Sequence, residues 1–371
     1  MEFYLFAYMD TTAEIKITRR KLKSLVNDTV KSAESVNLIY VKDSDPGILR
    51  RKKGDGFIYT LGGKSVNDDT ILKRIKALVI PPAWTDVWIC TSAEGHLQVT
   101  GIDAMGRKQY KYHPLWNTLR NQTKFYHLHD FGKALPAIRQ RLKKDLSRPG
   151  LPQNKVLATI VMLMESTNIR VGSNIYEKLY GSYGLTTMKN RHVTISGSQI
   201  KFSFKGKKGV YHDIAVKSKK LANIVTQCRD IPGKELFQYY DDKGARHAIE
   251  SGMVNDYIKE ISGGNFSAKD FRTWAGTIHA LEAFREMDVA STRTETQKNI
   301  VAALDIVAKH LGNTRTVCRK YYVHPLIIEG YTDGTLMKYF DRLPESESSL
   351  SIDEDTLMAI LERNTSAVIA A

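Results

Sequence analysis

The apolar residues of this chain change their spacing near residue 130, and that change splits it into two kinds of structure. Between Val79 and Tyr112 the residues Trp84, Val87, Trp88, Ile89, Leu97 and Val99 read as strands, with turns at Glu94-Gly95 and Asp103–Gly106. Just upstream, GDGFIYTLGGKS also reads as strand with glycine turns. From Lys133 the spacing becomes helical: Leu135, Ile138, Leu142 and Leu146 trace one face, and Arg139, Arg141, Lys143 and Lys144 fall mostly elsewhere. Pro149-Gly150 and Pro152 interrupt before a strongly apolar helix over Val156–Ser166. One β excursion follows, with strands at 192–196, 199–204 and 210–216, and helices return at 245–261, 268–287 and 295–311. The fold class is α+β. A small antiparallel β-rich N-terminal domain covers 1–130, with 1–55 as a basic extension that is helical near Lys16–Val30 and basic again at Arg50–Lys53. A mainly helical domain carrying a three-stranded sheet covers 131–371; its acidic end, 340–371, closes in a short amphipathic stretch and reads as a solvated tail in preference to an intramolecular cover over the basic surface.

Charge narrows the partner. A formal +15 and a pI near 9.5 favour a polyanion, nucleic acid above all, or an anionic membrane surface. No apolar run reaches the roughly 18 to 20 residues that span a bilayer. The start, MEFYLFAYMD, lacks a basic segment and meets Asp10 too early for a signal peptide. Cys90, Cys228 and Cys318 are scattered and odd in number, which suits a reducing cytoplasm. Gly63-Lys64-Ser65 resembles the end of a phosphate-binding loop, but Ile58 stands where that loop needs glycine, so it reads as a turn. His127 and His129 have only Asp130 nearby and predict no metal site.

The stretch LGNTRTVCRKYYVHP, Leu311 to Pro325, carries the most chemistry. A helix running through Ile300, Leu304, Val307 and Leu311 is broken by Gly312 and Asn313, and a second short helix can begin at Thr314. Tyr321 and Tyr322 then sit beside Arg319 and Lys320. Elsewhere Arg170 follows the apolar helix. Arg272 lies in the first turns of a helix capped by Ser267 with Asp270 as its capping-box partner, flanked by Phe271 and Trp274. A desolvated arginine needs an anion, either an internal carboxylate or a substrate phosphate. Lys207 occupies a glycine-flanked hairpin turn beside Lys205 and Lys208, and the local sequence does not choose which of the three reaches a ligand. Cutting a phosphodiester without a metal needs a nucleophile, an acid for the leaving oxygen and donors for the non-bridging oxygens. Tyr322, Lys207, Arg170, Arg272 and Asn313 can fill those roles. In GRKQYKYHP, alternation puts Tyr110 and Tyr112 on one face and Gln109 and Lys111 on the other: either a face available to bases or ribose, or an edge strand with packing tyrosines and solvated lysines.

The ordered motifs VIPPAW (79–84), GRKQYKYHP (106–114), NIRVGS (168–173), FKGKKGVYHD (204–213), KDFRTWAGT (269–277) and LGNTRTVCRKYYVHP (311–325) resemble the type IB DNA topoisomerases of the compact poxvirus-like kind also found in bacteria. The resemblance runs from about Gly56 to Gly330. It implies that Tyr322 is the nucleophile, Arg170 and Arg272 the phosphate-binding arginines and Lys207 the general acid. Position 313 holds a histidine in the poxvirus enzymes; Asn313 here still donates a neutral hydrogen bond. Gln109, Tyr110 and Tyr112 match DNA-contacting residues, with Arg107 and Lys108 beside them and Tyr176 retained further on. Ser173 and Ile175 replace lysines that help read a preferred pentanucleotide, so that preference does not carry over. The resemblance further implies a monomeric C-shaped clamp on duplex DNA, cytoplasmic and nucleoid-associated if bacterial. It would swivel one strand through a 3′-phosphotyrosyl link with neither ATP nor metal as cofactor. The rival readings are a tyrosine recombinase, whose His-x-x-Arg motif is replaced here by Lys269-Asp270-Phe271-Arg272, and a non-catalytic DNA-binding module.

Overall fold

In the computed structural model, residues 28–287, 290–340 and 349–367 are described. Most of the Lys16–Val30 helical pattern and residues 341–348 of the acidic segment lie outside them. Two units form: the first takes the residues up to Phe125 and those from Thr365 on, and the second runs from Tyr126 to Asn364.

In the first unit, α1 (Thr29–Glu34) is capped by Asp28, whose carboxylate accepts from the Val30 and Lys31 amides. The strands are β1 (Ile48–Lys53), β2 (Gly56–Leu61), β3 (Lys64–Ser65), β4 (Thr85–Ile89), β5 (Leu97–Ile102) and β6 (Lys108–Tyr112), with α2 (Asp69–Ala77) between β3 and β4. They form one antiparallel sheet in the order β3-β2-β1-β4-β5-β6, which leaves β6 at an edge. Ile48, Ile75, Val87, Ile89 and Val99 make its core. Gly63-Lys64-Ser65 lies at the β2–β3 hairpin, with Gly62 and Gly63 at positive φ, and no helix opens there.

Arg50 is not part of an exposed basic cluster. It is buried and donates to the carbonyls of Ile80 (3.3 Å), Pro81 (2.9 Å) and Trp84 (2.7 Å). Lys111 holds the carbonyls of Leu78 (2.6 Å) and Val79 (3.0 Å). The VIPPAW segment contains two prolines that cannot donate to a ladder, so these two cations satisfy carbonyls that no strand can.

The second unit is mainly helical. Helix α3 (Pro114–Asp145) begins within the first unit and continues into the second, starting almost twenty residues before the helical pattern expected from Lys133. Its early apolar residues, Trp116 and Leu119, pack with Ala33, Val36 and Leu38, whereas Leu128, Phe131, Leu135, Ile138 and Leu142 belong to the large core. One helix serving two cores shows no single stripe. There follow α4 (Gln153–Thr167), α5 (Asn174–Tyr180), the sheet β7 (Val193–Ser196), β8 (Gln199–Lys205) and β9 (Tyr211–Lys217), and α6 (Lys219–Asp230). Strand β8 is central and turns Ile200, Phe202 and Phe204 inward. Residues 245–250 are not helical: β10 (Gln238–Tyr240) and β11 (Arg246–Ala248) make a hairpin whose turn is closed by Asp241, accepting from the Lys243 and Ala245 amides. The remaining helices are α7 (Ser251–Ser262), α8 (Ala268–Arg285), α9 (Arg293–Leu311), α10 (Arg315–Tyr321), α11 (Pro325–Thr332), α12 (Met337–Phe340) and α13 (Ile352–Ala367).

The solvated-tail expectation fails at α13. Leu357, Ile360 and Leu361, in the stretch read as amphipathic, are buried in the large core, spaced as one helix face. Glu354 takes two hydrogen bonds from Arg139 (2.9 and 2.7 Å) and one from the Trp274 indole (3.0 Å). Burial alone would raise its carboxyl, but Arg139, the Ser351 amide and Trp274 bring it below its usual value. Its stabilisation is therefore complete above the unfolded carboxylate range and is lost as pH falls through the folded value. Glu354→Gln should cost about 3 kcal/mol at neutral pH by breaking a buried pair. An unchanged denaturation midpoint would refute that role. Among the described residues no helix is long and apolar enough to cross a membrane.

Candidate active site

Helix α4 ends at Asn168, a left-handed cap with φ 57°. The chain then reverses, sinks Ile169 and delivers Arg170, half-buried, towards the end of α9. Its Nη2 donates to the Asn313 Oδ1 (2.5 Å) and the Gly312 carbonyl (3.2 Å). Gly312 caps α9 with φ 56°, as its position in the sequence predicts, and so turns Asn313 back against Arg170. The Asn313 Nδ2 is buried without a hydrogen-bond partner among the described residues.

Arg272 is placed by the N-terminus of α8. The Asp270 carboxylate accepts from the Ser267 amide (2.8 Å) and hydroxyl (2.9 Å), the capping pair read from the sequence. Phe271 and Trp274 are buried on either side, and Arg272 itself is 4% exposed. It donates to the carbonyls of Asn168 and Leu311, the latter at 2.8 Å, and its Nε has no partner among the described residues. Its guanidinium stands 5.3 Å from the centroid of the Tyr322 ring.

Neither Arg170 nor Arg272 pairs with a carboxylate among the described residues. Burial, then the neighbouring Arg272, lowers Arg170 to about 10. Burial also lowers Arg272, opposed by Tyr322. Two guanidiniums held this way could take an anion, whose charge would offset the cost of their desolvation. Cys318 is within the field of both: burial pushes its thiol up to about 11 although Arg272 and Arg170 act to lower it.

The adjacent tyrosines part company here. Tyr321 is exposed beside Lys320, whereas Tyr322 is half-buried against Arg272. Tyr322 ends α10, its amide bonded to the Cys318 carbonyl (2.9 Å) and its carbonyl taking a hydrogen bond from the Thr277 hydroxyl (3.2 Å). A Cβ at Gly276 would stand 2.8 Å from the Tyr322 carbonyl oxygen and 3.0 Å from its Cβ. Only glycine lets α8 approach this closely. Gly276 and Thr277 were not singled out in the sequence. The available signal was a glycine inside a helix, which costs about 1 kcal/mol against alanine and so asks for a packing reason.

Lys207 is exposed on the β8–β9 turn, its Nζ 5.5 Å from the Tyr176 ring centroid. It lines a small concavity with Arg170, Asn168 and His212; Lys205 and Lys208 do not. Lys208 takes the left-handed position of the turn, φ 62°.

On β6 the expected alternation holds. Tyr110 and Tyr112 are 48% and 39% exposed, with rings parallel within 8° and 6.1 Å apart. Gln109 donates to Asp103 (2.8 Å), which also accepts from the Arg107 Nε (2.6 Å), and Lys108 pairs with Asp43. Among the described residues no group of three or more His, Cys, Asp or Glu side chains could hold a metal ion; His129 meets Glu362 at 3.4 Å.

Comparison with known proteins gives the family. The family described as eukaryotic DNA topoisomerase I, catalytic core, matches residues 113–341, and that described as bacterial DNA topoisomerase IB, N-terminal domain, matches 56–103. The DNA topoisomerase 1B of Acanthamoeba polyphaga mimivirus is 32% identical over 300 residues, 78% of this chain and 88% of the relative. The DNA topoisomerase 1B of Vaccinia virus (strain Copenhagen) is 26% identical over 298 residues, covering 76% and 90%, and the DNA topoisomerase 1 of Rabbit fibroma virus (strain Kasza) is 24% identical over 278 residues, covering 71% and 81%. The match across most of its length places this chain in the family of type IB DNA topoisomerases.

Proposed function

We propose that this chain relaxes supercoiled duplex DNA by cutting and resealing one strand through Tyr322. The phenol oxygen attacks phosphorus and gives its proton to solvent, which returns it on resealing; the bond to the 5′ oxygen breaks, and Lys207 protonates that oxygen. The strand is left joined to Tyr322 at its 3′ phosphate. Arg170, Arg272 and the free Nδ2 of Asn313 take the charge on the non-bridging oxygens. The 5′ hydroxyl swivels and attacks in the reverse step, returning the proton to Lys207. Bond energy is kept in the tyrosyl ester, so the cycle needs no ATP.

The observation carrying this reading is the pair of guanidiniums without a carboxylate, one of them over the Tyr322 ring. Tyr110 and Tyr112 offer ring faces to bases or ribose, with Gln109, Arg107, Lys108 and Tyr176 as further DNA contacts. Because Arg107 and Lys108 already meet Asp103 and Asp43, the tyrosines should carry more of the binding. The enzyme acts as a monomer, and three free, buried cysteines suit a reducing cytoplasm.

Plasmid relaxation in EDTA without ATP tests the proposal. Relaxed circles are expected, with activity falling steeply as salt rises. Bound but unrelaxed plasmid at every salt concentration would favour a binding module, and strand exchange between two sites a recombinase.

A further inference from the structure

His212 takes no part in the roles above, yet it stands between two segments that do. It pairs with Phe204 across β8 and β9, and the two rings stack with centroids 5.1 Å apart and 24° between their planes. The imidazole also reaches two glycines. Gly206 immediately precedes Lys207, and Gly312 immediately precedes Asn313. A Cβ at Gly206 would lie 2.6 Å from the ring's Cδ2 and Nε2, and one at Gly312 would run into Cε1.

Gly312 needs to be glycine for its backbone as well, with φ 56°. Gly206 does not: its φ of −91° and ψ of −167° suit residues with side chains. Its missing side chain answers to space, and His212 fills that space. The ring makes no hydrogen bond among the described residues, so its contact with both turns is one of shape. Burial, then Arg170 and Arg272, lowers the imidazole from its ordinary value, which keeps a third cation out of the cluster.

We propose that His212 is a positioning residue whose ring locks the turn carrying Lys207 against the turn carrying Asn313. The proton donor and the phosphate donors are thereby held at a set spacing across the scissile bond. This rests on the roles given above to Lys207 and Asn313. A rigid spacer matters because misplacing a catalytic group by about 1 Å can cost roughly 100-fold in rate.

The test is single-turnover cleavage by the full chain on two duplexes, one with the natural 5′ oxygen at the scissile bond and one with sulfur there. A thiolate leaves without being protonated, so sulfur bypasses the general acid. His212→Ala should cleave the oxygen substrate about 100-fold more slowly. On sulfur its defect should shrink to within about tenfold, following Lys207→Ala measured alongside. His212→Gln keeps a flat, neutral end of similar size and should stay within about tenfold of the parent. If the alanine variant does not fold, His212→Asn, which shortens the side chain without emptying the site, supplies the comparison. Parental cleavage by His212→Ala overturns the proposal. So does an equal defect on oxygen and sulfur, which would place the ring's effect outside the lysine turn. A glutamine variant as slow as alanine would mean that nitrogen chemistry, not shape, is what counts. If Lys207→Ala cleaves normally while His212→Ala does not, the lysine assignment fails first and takes this proposal with it.

Discussion

Tyr322→Phe should bind duplex DNA as the parent does, yet form no covalent adduct and relax no plasmid. The change removes one oxygen and leaves the ring on Arg272, where the guanidinium stands 5.3 Å from its centroid. Packing against Gly276 and the hydrogen bond from Thr277 involve the backbone and Cβ, so both survive. The expected change is thus chemical and not structural: the site keeps its shape and loses its nucleophile. Tyr321→Phe, a substitution at an exposed ring, should cleave at close to the parental rate. Trapping the adduct with denaturant and mapping the labelled peptide distinguishes the two tyrosines directly. A Tyr322→Phe enzyme that still nicks and reseals would end the assignment.

The second large effect is expected at Arg272. Replacing it with methionine should slow single-turnover cleavage by at least about 100- to 1000-fold, the range for losing one preorganised donor to a developing oxyanion. Lysine should not restore the rate, because it lacks the planar fork that can reach both carbonyls and a phosphate at once. Stability should move differently from rate. Arg272 is a buried charge without a carboxylate partner, and such a charge costs stability even when carbonyls accept from it. The methionine variant should therefore melt no lower than the parent by more than a few degrees, and a higher melting temperature would be in keeping. A rate within threefold of the parent would remove Arg272 from the mechanism. A collapse in melting temperature with normal cleavage would recast it as a structural residue.

How much of this was legible beforehand depended on how far apart the interacting residues lie in the chain. The three strands of the small sheet, the capping of α8 and the glycine end of α9 follow from local patterns, and the structure agrees to within a residue or two at most ends. Helix α3 escaped because its apolar residues serve two cores. The hairpin at 238–248 escaped because Asp241 closes a turn that simple periodicity does not register. The site residues stood out through ordered motifs, and only Arg272, with its aromatic flanks, announced burial by local sequence alone. What no local pattern could show is contact across long stretches: Gly276 beneath Tyr322, His212 against Gly312, and Arg50 gathering the carbonyls of the VIPPAW segment.

The packing of α13 bears on how this protein can be dissected. The match to the catalytic-core family stops at residue 341, and all five proposed catalytic side chains precede it, so trimming there looks harmless on paper. Such a fragment would strip Leu357, Ile360 and Leu361 from the interior and leave Arg139 and the Trp274 indole without Glu354. Trp274 sits two positions along the same helix from Arg272. A minimal enzyme should therefore be cut beyond the last helix, and a fusion partner is better attached through a spacer than spliced into it.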